Sequence, residues 1–260
     1  NHLHEPTIIH WHGIRLTSTM DGTNDVQNPI LPGESFEYRF DVPDAGTFWY
    51  HSHENETEQM ERGMYGALIV EDDGDPAVDE ERIFMVDDMK LNRENGFRSG
   101  NFLQRWIERH DGREGETVLI NGRVNPLVQM HAGQTERWRF INASSARYFR
   151  LFLGGMPFRI LATDGGLLER FQEVTELLIV PGERYDIVVG PFSEGHSFTI
   201  DSLSYNRMTF VRSAHEKFAT VRVGPERKSR AFFPEKFRTI DRLAPADAPV
   251  SRKVRLSVDP

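Results

Sequence analysis

Apolar and polar residues alternate along much of this chain, with the two-residue period of β-strands that are buried on one face. In segment 35–40, for example, Phe36, Tyr38 and Phe40 alternate with charged residues. Gly, Pro, Asn and Asp residues lie between such segments and indicate turns. The pattern predicts strands at residues 7–12, 35–40, 47–53, 67–71, 82–86, 117–120, 136–140, 148–153, 176–180, 185–189, 197–201 and 219–223. Short strands at this spacing are typical of β-sandwiches, so we predict an all-β fold.

One segment follows the helical period instead. Over residues 101–109, Phe102, Trp106 and Ile107 share one face of a helix, and Gly112 follows as a stop signal. We predict a helix there that connects two groups of strands.

A short internal repeat indicates two similar units in succession. The sequence Pro-Gly-Glu at residues 32–34 returns at residues 181–183, and Gly-Thr-Phe at 46–48 returns as Gly-His-Ser-Phe at 195–198. The same offset of 149 residues separates the glycines of both pairs. Two copies of one strand pattern at a constant offset predict tandem Greek-key β-sandwiches.

The repeat also predicts the domain limits. We assign residues 1–72 to a first domain, 79–224 to a second, and 225–260 to a linker followed by the first strand of a third. The second copy has strand-like segments before the position at which the first copy begins, so the first domain is expected to lack its N-terminal strands. Val254 and Leu256 belong to the alternating pattern that predicts the new strand near the end.

The composition excludes several classes of partner. The chain has 31 basic and 40 acidic residues and a net charge of −9, which argues against binding to nucleic acid or to an anionic membrane. Its sequence contains no run of eighteen apolar residues, so no membrane-spanning segment is predicted. Because the chain has no cysteine, any metal held here would be bound by nitrogen and oxygen, which excludes a blue-copper site within these residues.

Two His-X-His motifs carry the candidate chemistry. They place His10 and His12 in one predicted strand, and His51 and His53 in another. Alternate side chains of a strand point the same way, so each motif presents two imidazoles on one face, roughly 6–7 Å apart. Imidazole binds copper, zinc, iron and nickel, and two such strands side by side would bring four rings together.

The second copy of the repeat lacks these histidines. At the 149-residue offset, the second motif corresponds to Ile200-Asp201-Ser202, and a separate alignment of the first motif places it on Leu151-Phe152-Leu153. The second copy thus has mostly ordinary strand residues where the first copy has imidazoles that an apolar core would not favour. This contrast indicates that the four histidines are present for their chemistry.

Several longer motifs resemble one protein family. They lie at residues 7–14, 21–22, 31–34, 46–53 and 63–70, and in the second copy at 139–143, 162–168 and 181–186. The first group resembles the first cupredoxin domain of a three-domain multicopper oxidase, and the second group resembles the second domain. Laccase-like bacterial copper oxidases are the most similar in appearance.

The resemblance implies that the cofactor is copper. By position, His10 would bind the type 2 copper, His12 and His51 one copper of the type 3 pair, and His53 the other. The family completes this trinuclear cluster with four histidines from a third cupredoxin domain, which also supplies the Cys of the type 1 copper. Asp21 falls where similar enzymes keep an acidic residue that assists proton delivery to oxygen.

The resemblance also implies an activity and its partners. The intact enzyme would remove single electrons from a small reducing substrate, a phenol or a metal ion, and reduce dioxygen to water. Its partners would be dioxygen, that substrate and the third domain of the same full-length chain, with a periplasmic or extracellular location. With half of the cluster ligands and no type 1 Cys, the 260-residue chain is expected to be inactive by itself.

Other functions remain open from the residues alone. Three of the histidines with a water could form a mononuclear zinc or copper site, which predicts about one metal per chain. A metal-free cupredoxin scaffold is a third possibility, although the presence of all four histidines argues against it. A copper nitrite reductase is excluded because its first domain requires a Cys ligand.

Overall fold

The computed structural model describes residues 1–90, 102–208, 213–242 and 253. Within them the regular secondary structure is almost entirely β, which confirms the predicted fold class. The strands are β1 (Ile9–His12), β2 (Gly46–Ser52), β3 (Tyr65–Val70), β4 (Glu80–Met89), β5 (Thr117–Ile120), β6 (Leu127–Ala132), β7 (Glu136–Asn142), β8 (Phe149–Phe152), β9 (Phe158–Thr163), β10 (Gly166–Val174), β11 (Glu176–Ile179), β12 (Arg184–Val189), β13 (Ser197–Leu203) and β14 (Glu216–Glu226). The helices are α1 (Glu56–Glu61) and α2 (Phe102–Asp111), and none of the described helices is long and apolar enough to cross a membrane.

The first sheet contains β1, β2 and β3 in that order, all antiparallel. Its central strand β2 is almost completely buried, whereas β1 and β3 are half-buried. Both His-X-His motifs lie at one end of this sheet, because the antiparallel register sets the start of β1 beside the end of β2. The sheet therefore presents the histidines from two adjacent strands.

The remaining strands form a sandwich of two larger sheets. One sheet has the order β10-β9-β12-β7-β4-β5, and the other has the order β11-β8-β13-β14-β6. A single cluster of buried apolar side chains fills the space between them, with Trp138 at its centre between Phe84 and Phe198. Burying one apolar face of each sheet in this way is the main stabilising contribution in such a fold.

The first sheet packs against the six-stranded sheet. Trp49 of β2 and Met60 of α1 contact Met85 of β4 and Ile141 of β7 in a second, smaller apolar cluster. A buried polar contact lies beside it, where the Thr47 hydroxyl bonds to a carboxylate of β12. The strand that bears His51, β2, therefore packs against the sandwich.

The strand predicted at 35–40 is not formed. Two of its three alternating aromatic residues, Tyr38 and Phe40, pack on the Trp11 ring, while the third, Phe36, is exposed. However, the segment forms no β-ladder with any described strand. Besides these ring contacts, it is joined to β1 by a hydrogen bond of 3.1 Å, which the Ile9 N–H donates to the Tyr38 hydroxyl. Side-chain alternation indicates an extended backbone, but a strand also needs a neighbouring backbone to pair with.

Other predictions need smaller corrections. The helix predicted at 101–109 is found as α2, two residues longer at its end, and residue 101 lies outside the described part of the chain. Strands β6, β9 and β10 and the six-residue helix α1 were not predicted. The strand expected near residues 254–258 lies outside the described residues, and the described residues between 227 and 242 run without a regular strand or helix.

Candidate metal centre

The register of β1 and β2 brings the histidines together. His10 lies directly opposite His51 in the antiparallel ladder, and His12 lies opposite Trp49. The ring centroid of His10 is 5.8 Å from that of His12, 5.3 Å from that of His51 and 5.4 Å from that of His53. The four imidazoles that the two motifs predict on one face therefore lie in one group.

Three of these rings can share a metal ion. One nitrogen from each of His10, His12 and His51 lies within 4.8 Å of the others. The closest pair is Nδ1 of His12 and Nε2 of His51, at 3.4 Å. Two nitrogens bound to one metal at about 2.0–2.1 Å in tetrahedral geometry stand roughly 3.3 Å apart, so this pair fits a shared ion without rearrangement.

A backbone carbonyl fixes the orientation of His10. Its Nδ1–H donates to the carbonyl oxygen of Asp21 at 2.7 Å, which leaves the Nε2 lone pair free for a metal. The Asp21 carboxylate is farther away, with Oδ1 3.5 Å from the same nitrogen. Gly22, at φ +77°, lets this turn lie directly on the β1 backbone, where any Cβ would overlap the carbonyl oxygen of Ile9.

His51 is oriented in the same way. Its Nδ1–H donates to the carbonyl oxygen of Ser52 at 2.9 Å, so that Nε2 is again the free nitrogen. The carboxylate of Glu56, in the first turn of α1, lies 3.5 Å from Nδ1. Glu56 was not predicted, because α1 has no apolar periodicity and its position beside His51 depends on the fold.

Burial keeps the rings of His12 and His51 neutral. Desolvation lowers the pKa of His12 to about 3, with further contributions from Arg184, His51 and His10. Desolvation also lowers the pKa of His51, against the opposing effect of its bond to Ser52. A metal ligand must present an unprotonated nitrogen, and these rings meet that condition at neutral pH.

Trp49 packs against both members of this pair. Its indole centroid is 4.9 Å from the His12 ring and 4.5 Å from the His51 ring, with interplanar angles of 31° in both cases. Trp49 is 2% exposed, so it restricts the rotation of both imidazoles from the buried side.

His53 lies beside this group. Its ring is 6.1 Å from that of His51 and nearly parallel to it, at 29°. The nitrogens of His53 are not part of the group of three that lies within 4.8 Å. The geometry therefore separates a compact set of three histidines from a fourth ring next to it.

The centre opens into a cleft of about 310 Å³ between the first sheet and the sandwich. His12, His51, Trp49 and Glu56 line one side, and the other side is formed by the sandwich, including the turn at Gly182. No group of three His, Cys, Asp or Glu with metal-binding spacing occurs elsewhere among the described residues. Among the described residues, the candidate metal ligands are therefore concentrated at this cleft.

The chain is similar to known proteins along most of its length. A family model described as multicopper oxidase matches residues 1–75, and a second with the same description matches residues 85–221. The multicopper oxidase MmcO of Mycobacterium tuberculosis is 32% identical over 240 residues, which are 82% of this chain and 47% of that protein. Laccase-1 of Cryptococcus neoformans is 33% identical over 221 residues, which are 75% of this chain and 35% of that protein.

A solved structure extends the comparison to three dimensions. A multicopper oxidase from Campylobacter jejuni, described as a metallo-oxidase, matches with a TM-score of 0.79 and 32% identity, over 94% of this chain and 51% of that one. The chain thus spans about half the length, or less, of the proteins it matches.

Proposed function

We propose that this chain, which belongs to the multicopper oxidase family and has its all-β, cupredoxin-like fold, supplies half of the ligands of an oxygen-reducing copper cluster. The observation that carries this proposal is the 3.4 Å separation of His12 Nδ1 and His51 Nε2, with a His10 nitrogen in the same group. Neutral imidazoles suit copper in both of its common oxidation states.

The proposed ligand assignment is the one that the family resemblance implies. His12 and His51 would share one type 3 copper, His10 would bind the type 2 copper, and His53 would bind the second type 3 copper. The bonds from His10 to Asp21 and from His51 to Ser52 support this, because each leaves Nε2 directed away from the backbone. The domain limits predicted above, at 1–72 and 79–224, are part of the proposal.

Bound copper would supply the redox chemistry: it would take single electrons from a small reducing substrate and pass four of them to dioxygen, which would take up four protons from solvent to give two molecules of water. The residues of this chain have other tasks. His10 and His51 hold their tautomers through backbone carbonyl acceptors, and Trp49 restricts two of the rings. Rings held in this way need little reorganisation when they bind a metal.

Asp21 is proposed to hold or relay a proton at the edge of the centre. Its side chain is 39% exposed and Oδ1 lies 3.5 Å from His10 Nδ1. A carboxylate between water and a metal ligand can orient a water molecule and exchange a proton with it. Its backbone carbonyl, not its carboxylate, is the direct partner of His10.

The rest of the proposal concerns the whole protein. A third cupredoxin domain would complete the cluster and carry the type 1 copper, and the substrate would be a phenol or a metal ion. The location would be periplasmic or extracellular, by resemblance. A reading frame in which a His-Cys-His motif follows these residues would support this arrangement, and one without such a motif would contradict it.

A mononuclear zinc or copper site is the second candidate, because three histidines alone already form a compact group. Metal analysis of the protein expressed from its full reading frame separates the two. The cluster requires more than one copper ion per chain, whereas the mononuclear site requires one metal ion of either kind.

The same preparation tests the ligands. The His12→Gln and His51→Gln variants should each contain less copper than the parent protein. The His131→Gln variant, whose substitution lies in β6 and outside the group, should contain as much copper as the parent. A protein that binds no metal at all would contradict both candidates and leave the metal-free scaffold.

A further inference from the structure

The two copies of the Pro-Gly-Glu sequence form the same turn. The Leu31 N–H donates to the Glu34 carboxylate at 3.1 Å, and the Val180 N–H donates to the Glu183 carboxylate at 2.9 Å. Each turn also has a backbone hydrogen bond between the same two residues. Their glycines have almost equal φ angles, +85° at residue 33 and +81° at residue 182. The two turns are local equivalents that share sequence, conformation and hydrogen bonds.

Their surroundings differ. A Cβ at Gly33 would have no atom within 4 Å, whereas a Cβ at Gly182 would lie 3.0 Å from Cε1 and 3.3 Å from Nε2 of His12. Contacts of 3.0 Å between carbon atoms are closer than van der Waals distance, so a side chain at residue 182 would displace the imidazole. The turn of the second copy thus lies against a histidine of the first.

Trp49 also limits the position of His12, because the centroid of its indole lies 4.9 Å from the centroid of the His12 ring. His12 is therefore held between an aromatic side chain of its own sheet and the backbone of a turn from the sandwich. Because the nitrogen of His12 lies only 3.4 Å from that of His51, a displacement of a few tenths of an ångström changes the spacing of the proposed ligand pair.

Arg184 fixes the turn to the first sheet. It is 4% exposed, and its guanidinium donates to the Gly182 carbonyl at 3.1 Å and to the Thr47 carbonyl at 3.1 Å. The same guanidinium lies against Gly13, where any Cβ would overlap it. The residue after His12 and the turn that faces its ring are therefore joined by one buried side chain.

We propose that Gly182 and Arg184 are positioning residues for the metal ligand His12. The sandwich supplies no histidine to the group of three, yet it sets the position of one of them. This inference rests on the proposed function, because it assigns a task toward the metal that His12 would bind.

The experiment compares Gly182→Ala with its internal counterpart Gly33→Ala. Both variants place alanine at a positive φ in the same turn, so the cost of backbone strain should be similar in both. Only Gly182→Ala should move His12. Cu(I) is titrated anaerobically into the 260-residue chain in competition with a chromophoric chelator, and Gly182→Ala should weaken its binding tenfold or more relative to Gly33→Ala, as expected for a group that orients a ligand.

A second readout uses the metal-free chain. The imidazole signals in nitrogen-15 NMR spectra, with His12 assigned by its loss in His12→Gln, should shift for His12 in Gly182→Ala and remain in place in Gly33→Ala. Equal Cu(I) affinities in the two glycine variants, or an unshifted His12 signal, would overturn the inference. A protein that binds no copper when expressed from its full reading frame would contradict the proposed function, while the NMR comparison would still decide whether Gly182 positions His12.

Arg184→Gln provides the test if Gly182→Ala does not fold. It removes the guanidinium that donates to the carbonyls of Gly182 and Thr47 and adds no atom beside His12. The expected result is again a loss of Cu(I) affinity together with a shifted His12 signal, and an unchanged value of either would contradict the proposal.

Discussion

The hydroxyl of Thr47 donates a hydrogen bond of 2.6 Å to Oδ1 of Asp186, and this contact joins the strand that bears His51 to the sandwich behind it. The same hydroxyl accepts a bond of 2.9 Å from Arg139, which also donates to Asp186. All three side chains are buried. A strand of the metal centre is thus attached to a network of buried charges in the second half of the chain.

Replacing Thr47 with valine should break this attachment. Thr47→Val keeps the shape of the side chain but leaves Asp186 without one donor and Arg139 without one acceptor. Leaving buried charged groups partly unpaired should cost about 1–3 kcal/mol of the free energy of unfolding, measured by urea denaturation. Thr220→Val is the control, because the Thr220 hydroxyl makes an exposed bond of 3.3 Å, and its loss should be below about 0.5 kcal/mol. Equal losses in the two variants would contradict this account.

Asp87 should make the stability of the chain depend on pH. It is 3% exposed and accepts a hydrogen bond of 2.7 Å from the Tyr65 hydroxyl. Burial raises the pKa of Asp87 to about 7 from 3.8, although the bonds from Tyr65 and the Asp88 N–H oppose this. The folded chain binds this proton more tightly than the unfolded chain, so the stabilisation is complete below about pH 4 and is lost as the pH rises through about 7.

Asp87→Asn removes the charge and keeps two hydrogen-bonding atoms. Its stability relative to the parent chain should therefore rise between about pH 4 and pH 7, by about 1.4 kcal/mol per pH unit at most. Tyr65→Phe, which removes a donor from the buried carboxylate, should raise the pKa of Asp87 further, so that the loss of stability continues to higher pH. Urea denaturation at several pH values measures both, and a stability difference between Asp87→Asn and the parent that does not change with pH would refute the assignment.

Variants in the turn at Asp21 distinguish whether its backbone carbonyl or its carboxylate holds His10. Asp21→Asn keeps the carbonyl that accepts from His10, so Cu(I) affinity should change less than about threefold. Gly22→Ala should weaken both folding and Cu(I) binding, because its Cβ would overlap the carbonyl of Ile9 beside His10. A large loss of affinity in Asp21→Asn would instead show that the carboxylate holds the ligand.

The chain by itself should bind copper without becoming an oxidase. It contains no cysteine, so copper should not produce the intense blue colour of a type 1 site, and electrons from a phenol would have no entry point. We expect no oxidation of a phenol by the copper-loaded 260-residue chain, followed by absorbance and oxygen consumption. Robust turnover would overturn this prediction and favour a function complete within these residues.

Local patterns were sufficient for much of the fold. Alternation of side chains predicted most strands of the sandwich, because a strand that is buried on one face imposes a period of two on its sequence. It failed at residues 35–40, where Tyr38 and Phe40 pack on Trp11 but no described strand pairs with the backbone. It also missed the helix that bears Glu56, since a six-residue helix is stabilised by its surroundings more than by its own sequence.

The sequence by itself predicted which residues would carry the chemistry. His-X-His spacing puts two imidazoles on one face of any strand, and the second copy of the repeat marked those histidines as departures from an ordinary strand. Only the tertiary structure decided how they are held. The turns at Gly33 and Gly182 have the same sequence and conformation, and their different environments, open space for one and His12 for the other, depend on contacts between segments far apart in the chain. Such contacts leave no local period in the sequence, because they arise from the packing of one sheet on another.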